Sequence, residues 1–169
     1  SLTKKLKKCV KLKKGATVVL HPVNNPSLYG VAKINKKNKI IKIIEKPKKN
    51  ISNLAVTGLY FFDNKVIKYS ESLKPSKRNE VEIVDLLNKY KNSNSLSAEF
   101  LGRGGAWLDS GSISDFYETS SFVSALERRQ GLKIACLEEI SFNNKWIDKK
   151  HVLNAIKFYG NCSYSEYLL

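Results

Sequence analysis

Residues 53–62 read Asn-Leu-Ala-Val-Thr-Gly-Leu-Tyr-Phe-Phe and form the most apolar stretch of the chain. A polar pair at 63–64 follows directly, so the pattern predicts a buried strand at the centre of a sheet. Gly58 lies inside this strand, where glycine costs stability unless something approaches the backbone closely. Val56, Gly58 and Tyr60 are therefore candidates for the floor of a binding site. The alternative is that Gly58 only makes room for packing.

Strands and helices alternate on both sides of this stretch. Apolar or alternating runs bounded by Gly, Pro or Asn predict further strands at 16–23, 29–35, 39–45 and 97–101. The second and third of these are predicted to form a hairpin. Helical spacing predicts helices at 1–14, 63–70 and 80–91. Such alternation is typical of an α/β fold, here with a mixed sheet.

From residue 112 the pattern changes to helices. An amphipathic helix is predicted at 112–130, with an inward stripe formed by Ile113, Phe116, Tyr117, Val123 and Leu126. A brief strand at 132–136 is expected next, followed by helical segments at 138–144, 148–158 and 163–169. We therefore expect an α/β part at 1–111 and a helical C-terminal region at 112–169 that serves packing and oligomer contacts.

Composition limits the possible partners. The 169 residues carry a formal net charge of +15, but lysine supplies 26 of the 30 basic residues and is spread through most segments. This is typical of codon bias in an AT-rich genome, so we expect no nucleic-acid partner, which would need a clustered basic face. No apolar run approaches the about 20 residues that span a membrane, and no secretory signal opens the chain. Three cysteines without CxxC spacing suit a reducing cytoplasm.

A glycine-rich bend carries one candidate site residue. The stretch Gly-Arg-Gly-Gly-Ala-Trp-Leu-Asp-Ser-Gly at 102–111 allows close approach of the backbone and places Asp109 where a carboxylate can reach a ligand. Trp107 and Leu108 would anchor the bend through apolar contacts. The alternative is that Asp109 only caps the helix that begins near residue 112.

Two further candidates are a strand end and a polar loop. Glu45 and Lys46 close a predicted strand just before Pro47, which is expected to restrict Lys46 to an extended conformation. Arg78 lies in a polar loop and is one of few arginines in a lysine-rich chain. Its planar guanidinium suits two-pronged contacts that lysine cannot make. Both segments can therefore meet an anionic ligand.

Six segments together resemble one enzyme family. They are Asn-Pro-Ser-Leu-Tyr-Gly-Val (25–31), Ile-Glu-Lys-Pro (44–47), Ala-Val-Thr-Gly-Leu-Tyr-Phe-Phe-Asp (55–63), Leu-Lys-Pro-Ser-Lys-Arg-Asn-Glu-Val-Glu-Ile-Val-Asp (73–85), the bend at 102–111, and Arg-Gln-Gly-Leu-Lys-Ile-Ala-Cys-Leu-Glu-Glu-Ile (129–140). In content and order they resemble the glucose-1-phosphate thymidylyltransferase family. The resemblance implies the C-terminal part of a Rossmann-like nucleotidyltransferase fold. It also implies a Mg²⁺-dependent reaction of dTTP with glucose 1-phosphate that gives dTDP-glucose and pyrophosphate, in deoxysugar biosynthesis of the dTDP-rhamnose type.

The resemblance assigns roles to individual positions. Sugar binding is carried over to Tyr29, Gly30, Glu45, Val56 and Tyr60. Lys46 and Arg78 match catalytic positions near the sugar phosphate, and Asp109 matches one of two aspartates that hold the metal. A second, regulatory nucleotide site would draw on Arg103, Ile134, Glu139 and Ile140. Asn143 stands where that site would have an arginine.

The chain also departs from the family pattern. It resembles the C-terminal half, without the glycine-rich loop that cradles the triphosphate and without the second metal aspartate. We therefore expect that it is inactive alone, that the N-terminal half or a complementary chain is a partner, and that the complete protein is a homo-oligomer. Gly105, Asn79 and Val84 replace other residues usual in the family. Two alternatives stay open, a relative that uses another nucleotide and a noncatalytic sugar-phosphate-binding or assembly module.

Overall fold

The computed structural model describes residues 2–11 and 14–169. The chain divides into two compact units, Ser1–Trp107 and Leu108–Leu169. The division that the sequence pattern predicts lies after residue 111, within the same bend. Among the described residues, no helix is both long enough and apolar enough to cross a bilayer.

The first unit is built on a five-stranded sheet. Its strands are β1 (Ala16–Pro22), β2 (Gly30–Ile34), β3 (Ile40–Glu45), β4 (Leu54–Phe62) and β5 (Leu96–Phe100). They lie in the order β3-β2-β4-β1-β5, with β1 and β5 parallel and the other neighbours antiparallel. The predicted hairpin is therefore confirmed as β2 and β3. The central place of β4 and the mixed sheet are confirmed as well.

Helices accompany the sheet. In the described part of this unit they are α1 (Leu2–Val10), α2 (Lys65–Glu71) and α3 (Ile83–Asn92), and a 3-10 turn covers Pro26–Leu28. The helix predicted over 1–14 ends at Val10, and residues 12 and 13 lie outside the described part. Leu87 and Tyr90 of α3 are fully buried and belong to the same apolar core as the strands. This helix therefore anchors the loop before it, which carries Arg78.

The second unit is helical, as predicted. Its helices are α4 (Ile113–Gln130), α5 (Leu137–Asn143), α6 (Lys149–Tyr159) and α7 (Ser163–Leu168). Helix α4 begins where Ser112 accepts a hydrogen bond from the Asp115 N–H, and it ends at Gly131 in the left-handed conformation. Both ends therefore follow ordinary capping chemistry.

The strand predicted at 132–136 is absent, because this segment is an irregular turn. The Ile134 N–H donates to the carboxylate of Glu127 at 2.9 Å, and Ala135 has a φ of 55°. A left-handed residue is incompatible with an extended strand. The segment at 132–136, Leu-Lys-Ile-Ala-Cys, is therefore held by the end of α4 and not by a strand partner.

The inward stripe predicted on α4 is also wrong for its first turns. Ile113 is 92% exposed and Tyr117 is 73% exposed, and Phe116 is exposed as well. Val123 and Leu126, farther along the same helix, are partly buried. The periodicity correctly identifies an amphipathic helix, but it does not show how far along the helix other residues cover the apolar stripe.

Candidate functional site

The end of β3 presents a carboxylate and a lysine in consecutive positions. Glu45 pairs with Gly30 of β2, and the Lys46 N–H donates to the backbone oxygen of Tyr29 at 3.0 Å. Lys46 has a φ of 40°, so the extended conformation predicted for it is wrong. The buried ring of Pro47 and the hydrogen bond to Tyr29 hold the chain in a sharp turn at this point. A left-handed lysine stores strain of about 1–3 kcal/mol, which the surrounding contacts must offset.

Glu45 lies in a partly buried and strongly charged environment. One oxygen is 3.8 Å from Nη1 of Arg78. Burial raises the pKa of the Glu45 carboxyl, and the negative charge of Glu82 raises it further, while Lys46 and Arg78 act in the opposite direction. Predicted sugar-binding and phosphate-binding residues therefore share one electrostatic cluster around Glu45.

A tight turn presents Arg78. The Ser76 N–H donates to the Glu80 backbone oxygen at 2.8 Å, and the Asn79 N–H donates to the Ser76 oxygen at 2.9 Å. Asn79 has a φ of 60°, a conformation that asparagine tolerates better than most residues other than glycine. The departure from the family pattern at Asn79 is therefore compatible with the shape of the turn.

The guanidinium of Arg78 contacts two acids that the sequence argument did not single out. Nη2 is 2.8 Å from the carboxylate of Glu80, and Nη1 is 3.4 Å from the carboxylate of Glu82. The i,i+4 spacing of Arg78 and Glu82 could have suggested the second pair, but the segment is a turn and not a helix. Arg78 is thus surrounded by three carboxylates when Glu45 is included.

On another side, the Glu45 carboxylate lies beside Gly30, near the side chains of Val56 and Val84. A Cβ placed on Gly30 would lie 3.0 Å from Oε2 of Glu45 and 3.1 Å from Cγ2 of Val84. The same position lies 3.7 Å from Cγ2 of Val56. Burial and then the charge of Glu45 raise the pKa of the Tyr60 hydroxyl. The structure therefore brings Gly30, Val56 and Tyr60 together with Glu45.

Gly58 is required by backbone conformation. The pairing of β1 with β4 shifts between Val18 and Leu20, so three residues of β4 bulge opposite Val19, and Gly58 among them has a φ of 83°. A Cβ on Gly58 would meet no atom within 4 Å. The packing-room alternative is therefore wrong, and the open space leaves this backbone accessible.

An aromatic group adjoins the bulge. The indole N–H of Trp107 donates to the Thr57 backbone oxygen at 3.1 Å, and the Trp107 ring meets Tyr29 edge-on at 5.0 Å between centroids. Trp107 is therefore the anchor that the sequence predicts, whereas Leu108 is exposed. The His21 ring of β1 lies 6.3 Å from that of Trp107 between centroids, and its buried Nδ1 has no hydrogen-bond partner among the described residues.

Asp109 belongs to the second unit. Its backbone oxygen accepts a hydrogen bond from the Thr119 hydroxyl at 3.0 Å, and its carboxylate lies beside Gly111. The capping alternative is wrong, because the side chain that caps α4 is Ser112. Within residues 2–11 and 14–169, no three His, Cys, Asp or Glu side chains cluster as a metal site. Since Mg²⁺ takes six oxygen ligands, one carboxylate is not a complete site, and the metal role of Asp109 stays a prediction.

The predicted regulatory residues are divided between the units. Arg103 is an exposed residue of the first unit, whereas Ile134, Glu139 and Ile140 belong to the second. The Glu139 carboxylate accepts a hydrogen bond from the Tyr167 hydroxyl at 2.8 Å. The regulatory assignment stays a prediction.

Relatives with assigned names match all or most of this chain. A glucose-1-phosphate thymidylyltransferase from Neisseria meningitidis serogroup A is 41% identical over 169 residues, which is 100% of this chain and 59% of the relative. One from Xanthomonas campestris pv. campestris is 46% identical over 151 residues, covering 89% of this chain and 51% of the relative. The chain thus spans about half to three fifths of the length of the relatives it matches.

Solved structures agree with this relationship. A structure assigned to a glucose-1-phosphate thymidylyltransferase from Bacillus anthracis, in complex with sucrose, is similar with a TM-score of 0.63 and 37% identity, over 72% of this chain and 48% of that one. A UDP-glucose pyrophosphorylase complexed with UDP-glucose has a TM-score of 0.59 and 26% identity, over 76% and 47%. The pattern of conserved positions that defines the nucleotidyl transferase family matches residues 1–125. With that match over most of its length, the chain belongs to the nucleotidyl transferase family.

Proposed function

We propose that this chain is the sugar-phosphate-binding part of a glucose-1-phosphate thymidylyltransferase. The complete protein would join dTTP and glucose 1-phosphate into dTDP-glucose and release pyrophosphate. The names of the relatives support the reaction. The observation that carries the proposal is the cluster around Glu45, where an acceptor for sugar hydroxyls adjoins two cationic side chains, Lys46 and Arg78.

Each residue of the cluster has a chemical task in this reaction. The Glu45 carboxylate accepts hydrogen bonds from sugar hydroxyls, and Gly30 has no Cβ, which would lie only 3.0 Å from Oε2. Lys46 and Arg78 offset the negative charge of the sugar phosphate. This matters because a phosphate oxygen must approach the α-phosphorus of a second anion in line. Positioning and charge compensation are therefore the contribution of this chain.

The metal requirement is part of the proposal. Magnesium would supply positive charge to the triphosphate. Asp109 offers one carboxylate for it, and in the complete protein a second carboxylate would be needed from residues outside this chain. We further propose a homo-oligomeric enzyme of the cytoplasm that serves dTDP-rhamnose-type deoxysugar synthesis. The three free cysteines are compatible with a reducing compartment.

A relative that uses another nucleotide is the second candidate. The similarity to a UDP-glucose pyrophosphorylase favours it, because that protein binds a sugar nucleotide with a different base. The two candidates share the sugar phosphate and differ in the base. Pyrophosphate release by the complete protein with dTTP and with UTP, at matched concentrations, distinguishes them.

Binding of the sugar phosphate to this chain tests the common part. Charge-assisted hydrogen bonds contribute about 1.5–3 kcal/mol each, and association costs at least about 4 kcal/mol, so we expect millimolar binding. Glucose 1-phosphate is titrated into the chain and NMR shifts are followed, with Lys48→Ala as a control for Lys46→Ala. We expect the chemical shifts of residues around Glu45, Lys46 and Arg78 to change on titration. Lys46→Ala should weaken binding of glucose 1-phosphate, and Lys48→Ala should not. A footprint elsewhere contradicts the proposal.

Catalysis tests the division of labour. With dTTP and magnesium present, we expect no pyrophosphate release by this 169-residue chain, because a single carboxylate leaves magnesium largely hydrated and the triphosphate has no backbone cradle. Turnover by the chain alone would show that it contains a nucleotide site that the proposal does not provide.

A further inference from the structure

We propose that Glu82 is a positioning residue for Arg78, and that Glu80 is a temporary counterion which the phosphate of the substrate replaces. This inference rests on the proposed function, since it names the phosphate of glucose 1-phosphate as the incoming group. The two acids contact the same guanidinium but differ in burial and in their other partners. Those differences decide which acid remains in contact with the guanidinium when the phosphate binds.

Glu82 is held in place by a second contact. Its side chain is only 12% exposed, and its Oε1 accepts a hydrogen bond from the Ser76 hydroxyl at 2.9 Å. The same hydroxyl accepts a hydrogen bond from the Arg78 N–H at 3.1 Å. Ser76 therefore links the backbone of Arg78 to the acid that meets its side chain. Because the acid that meets the guanidinium is itself held by Ser76, the guanidinium keeps a defined direction.

Glu80 has no comparable support among the described residues. Its side chain is 58% exposed, and its carboxylate is 2.8 Å from Nη2 of Arg78. Exposed ion pairs contribute little to stability, because water and salt screen them. A phosphate oxygen offers Nη2 an equivalent charged acceptor. Exchange of Glu80 for phosphate therefore costs little free energy, whereas exchange of Glu82 would also break its hydrogen bond to the Ser76 hydroxyl.

The charge of the cluster favours such an exchange. Glu45, Glu80 and Glu82 oppose Lys46 and Arg78, so the five side chains carry one net negative charge when all are ionised. A phosphate that enters an uncompensated negative cluster is repelled. Glu45 is the proposed acceptor for sugar hydroxyls and Glu82 is fixed by Ser76. Glu80 is the remaining acid that can swing into solvent.

Three isosteric variants that each remove one negative charge test the assignment. Binding of glucose 1-phosphate is measured by NMR titration for Glu80→Gln, Glu82→Gln and, as the control, Glu71→Gln at the exposed end of α2. Removing the competitor at 80 is expected to tighten binding about two- to fivefold, as for an exposed ion pair. Removing the support at 82 is expected to weaken binding about fivefold, although the cluster becomes less negative. The control stays within about twofold. If Glu82→Gln tightens binding like Glu80→Gln, the positioning role is overturned.

The order of the guanidinium is a readout that does not depend on the substrate. We expect nitrogen-bound hydrogens of the Arg78 side chain to give slowly exchanging NMR signals in the wild type and in Glu80→Gln. Glu82→Gln and Ser76→Ala should lose them, and Ser76→Thr, which keeps the hydroxyl, should restore them. Equal signals in all variants overturn the role of Glu82. Ordered Arg78 signals without any binding of glucose 1-phosphate would support the positioning role while refuting the proposed function and the exchange at Glu80.

Discussion

Replacing Gly58 by alanine should destabilise the first unit through backbone strain alone. Gly58 has a φ of 83°, and a Cβ at this position would meet no atom within 4 Å, so no steric clash contributes. A left-handed alanine costs about 1–2 kcal/mol relative to glycine. Alanine also restricts the unfolded chain, which offsets about 0.4–1 kcal/mol. The bulge at Gly58 is therefore expected to tolerate alanine at a measurable loss.

Gly104→Ala is the matched control. A Cβ on Gly104 would also meet no atom within 4 Å, but the φ of Gly104 lies outside the left-handed region. The effect of alanine on the unfolded chain is common to both variants, so their difference isolates the strain. Gly58→Ala should be less stable than Gly104→Ala by about 1–2 kcal/mol.

Urea denaturation followed by Trp107 fluorescence measures this difference. The second tryptophan, Trp146, is replaced by phenylalanine in both variants, so that the signal reports the first unit. For an m value of about 2 kcal/mol per molar, the midpoint for Gly58→Ala should lie about 0.5–1 M below that for Gly104→Ala. Coinciding midpoints with equal m values would refute the argument that conformation alone requires glycine in the bulge.

Two further predictions concern stability. The pKa of the Asp63 carboxyl is held below its ordinary 3.8, chiefly by the hydrogen bond from the Gly15 N–H and further by Tyr90 and Lys65. The stability that this carboxylate contributes is therefore fully present above pH 3.8 and is lost as the pH falls through its folded pKa. Asp63→Asn should lower the urea midpoint at neutral pH and flatten the decline in acid, and an unchanged decline would contradict this. Leu87→Ala, in the fully buried core, should lose about 2–5 kcal/mol in the same measurement, and a loss below 1 kcal/mol would argue against this packing.

The strands of the first unit were predictable from local pattern. The run at 53–62 is long, apolar and closed by polar residues, and it appears as β4 at the centre of the sheet. The segment at 132–136 shows where this reasoning fails, because four of its five residues are apolar too. A strand needs a partner, and here the acid of Glu127 satisfies the Ile134 N–H instead. Pattern alone does not supply that long-range information.

The candidate site was predictable in its residues more than in its geometry. The family resemblance pointed to Glu45 and Arg78, which the structure brings to 3.8 Å. It did not indicate Glu80 and Glu82, because their importance depends on a turn that folds them back onto the guanidinium. Hydrogen bonds made by Ser76 close that turn, and composition does not reveal them.

Both cations that we propose to meet the phosphate lie at or beside a residue with a left-handed backbone conformation. Lys46 itself has a positive φ, and Arg78 directly precedes Asn79, which also has one; neither residue with positive φ is a glycine. Such residues persist only where neighbouring contacts outweigh the strain. Buried Pro47 and the bond to Tyr29 do so at the first position, and the hydrogen bonds of Ser76 do so at the second. The backbone from which each cation projects is therefore fixed by a well-packed unit, which contributes to precise placement of a phosphate.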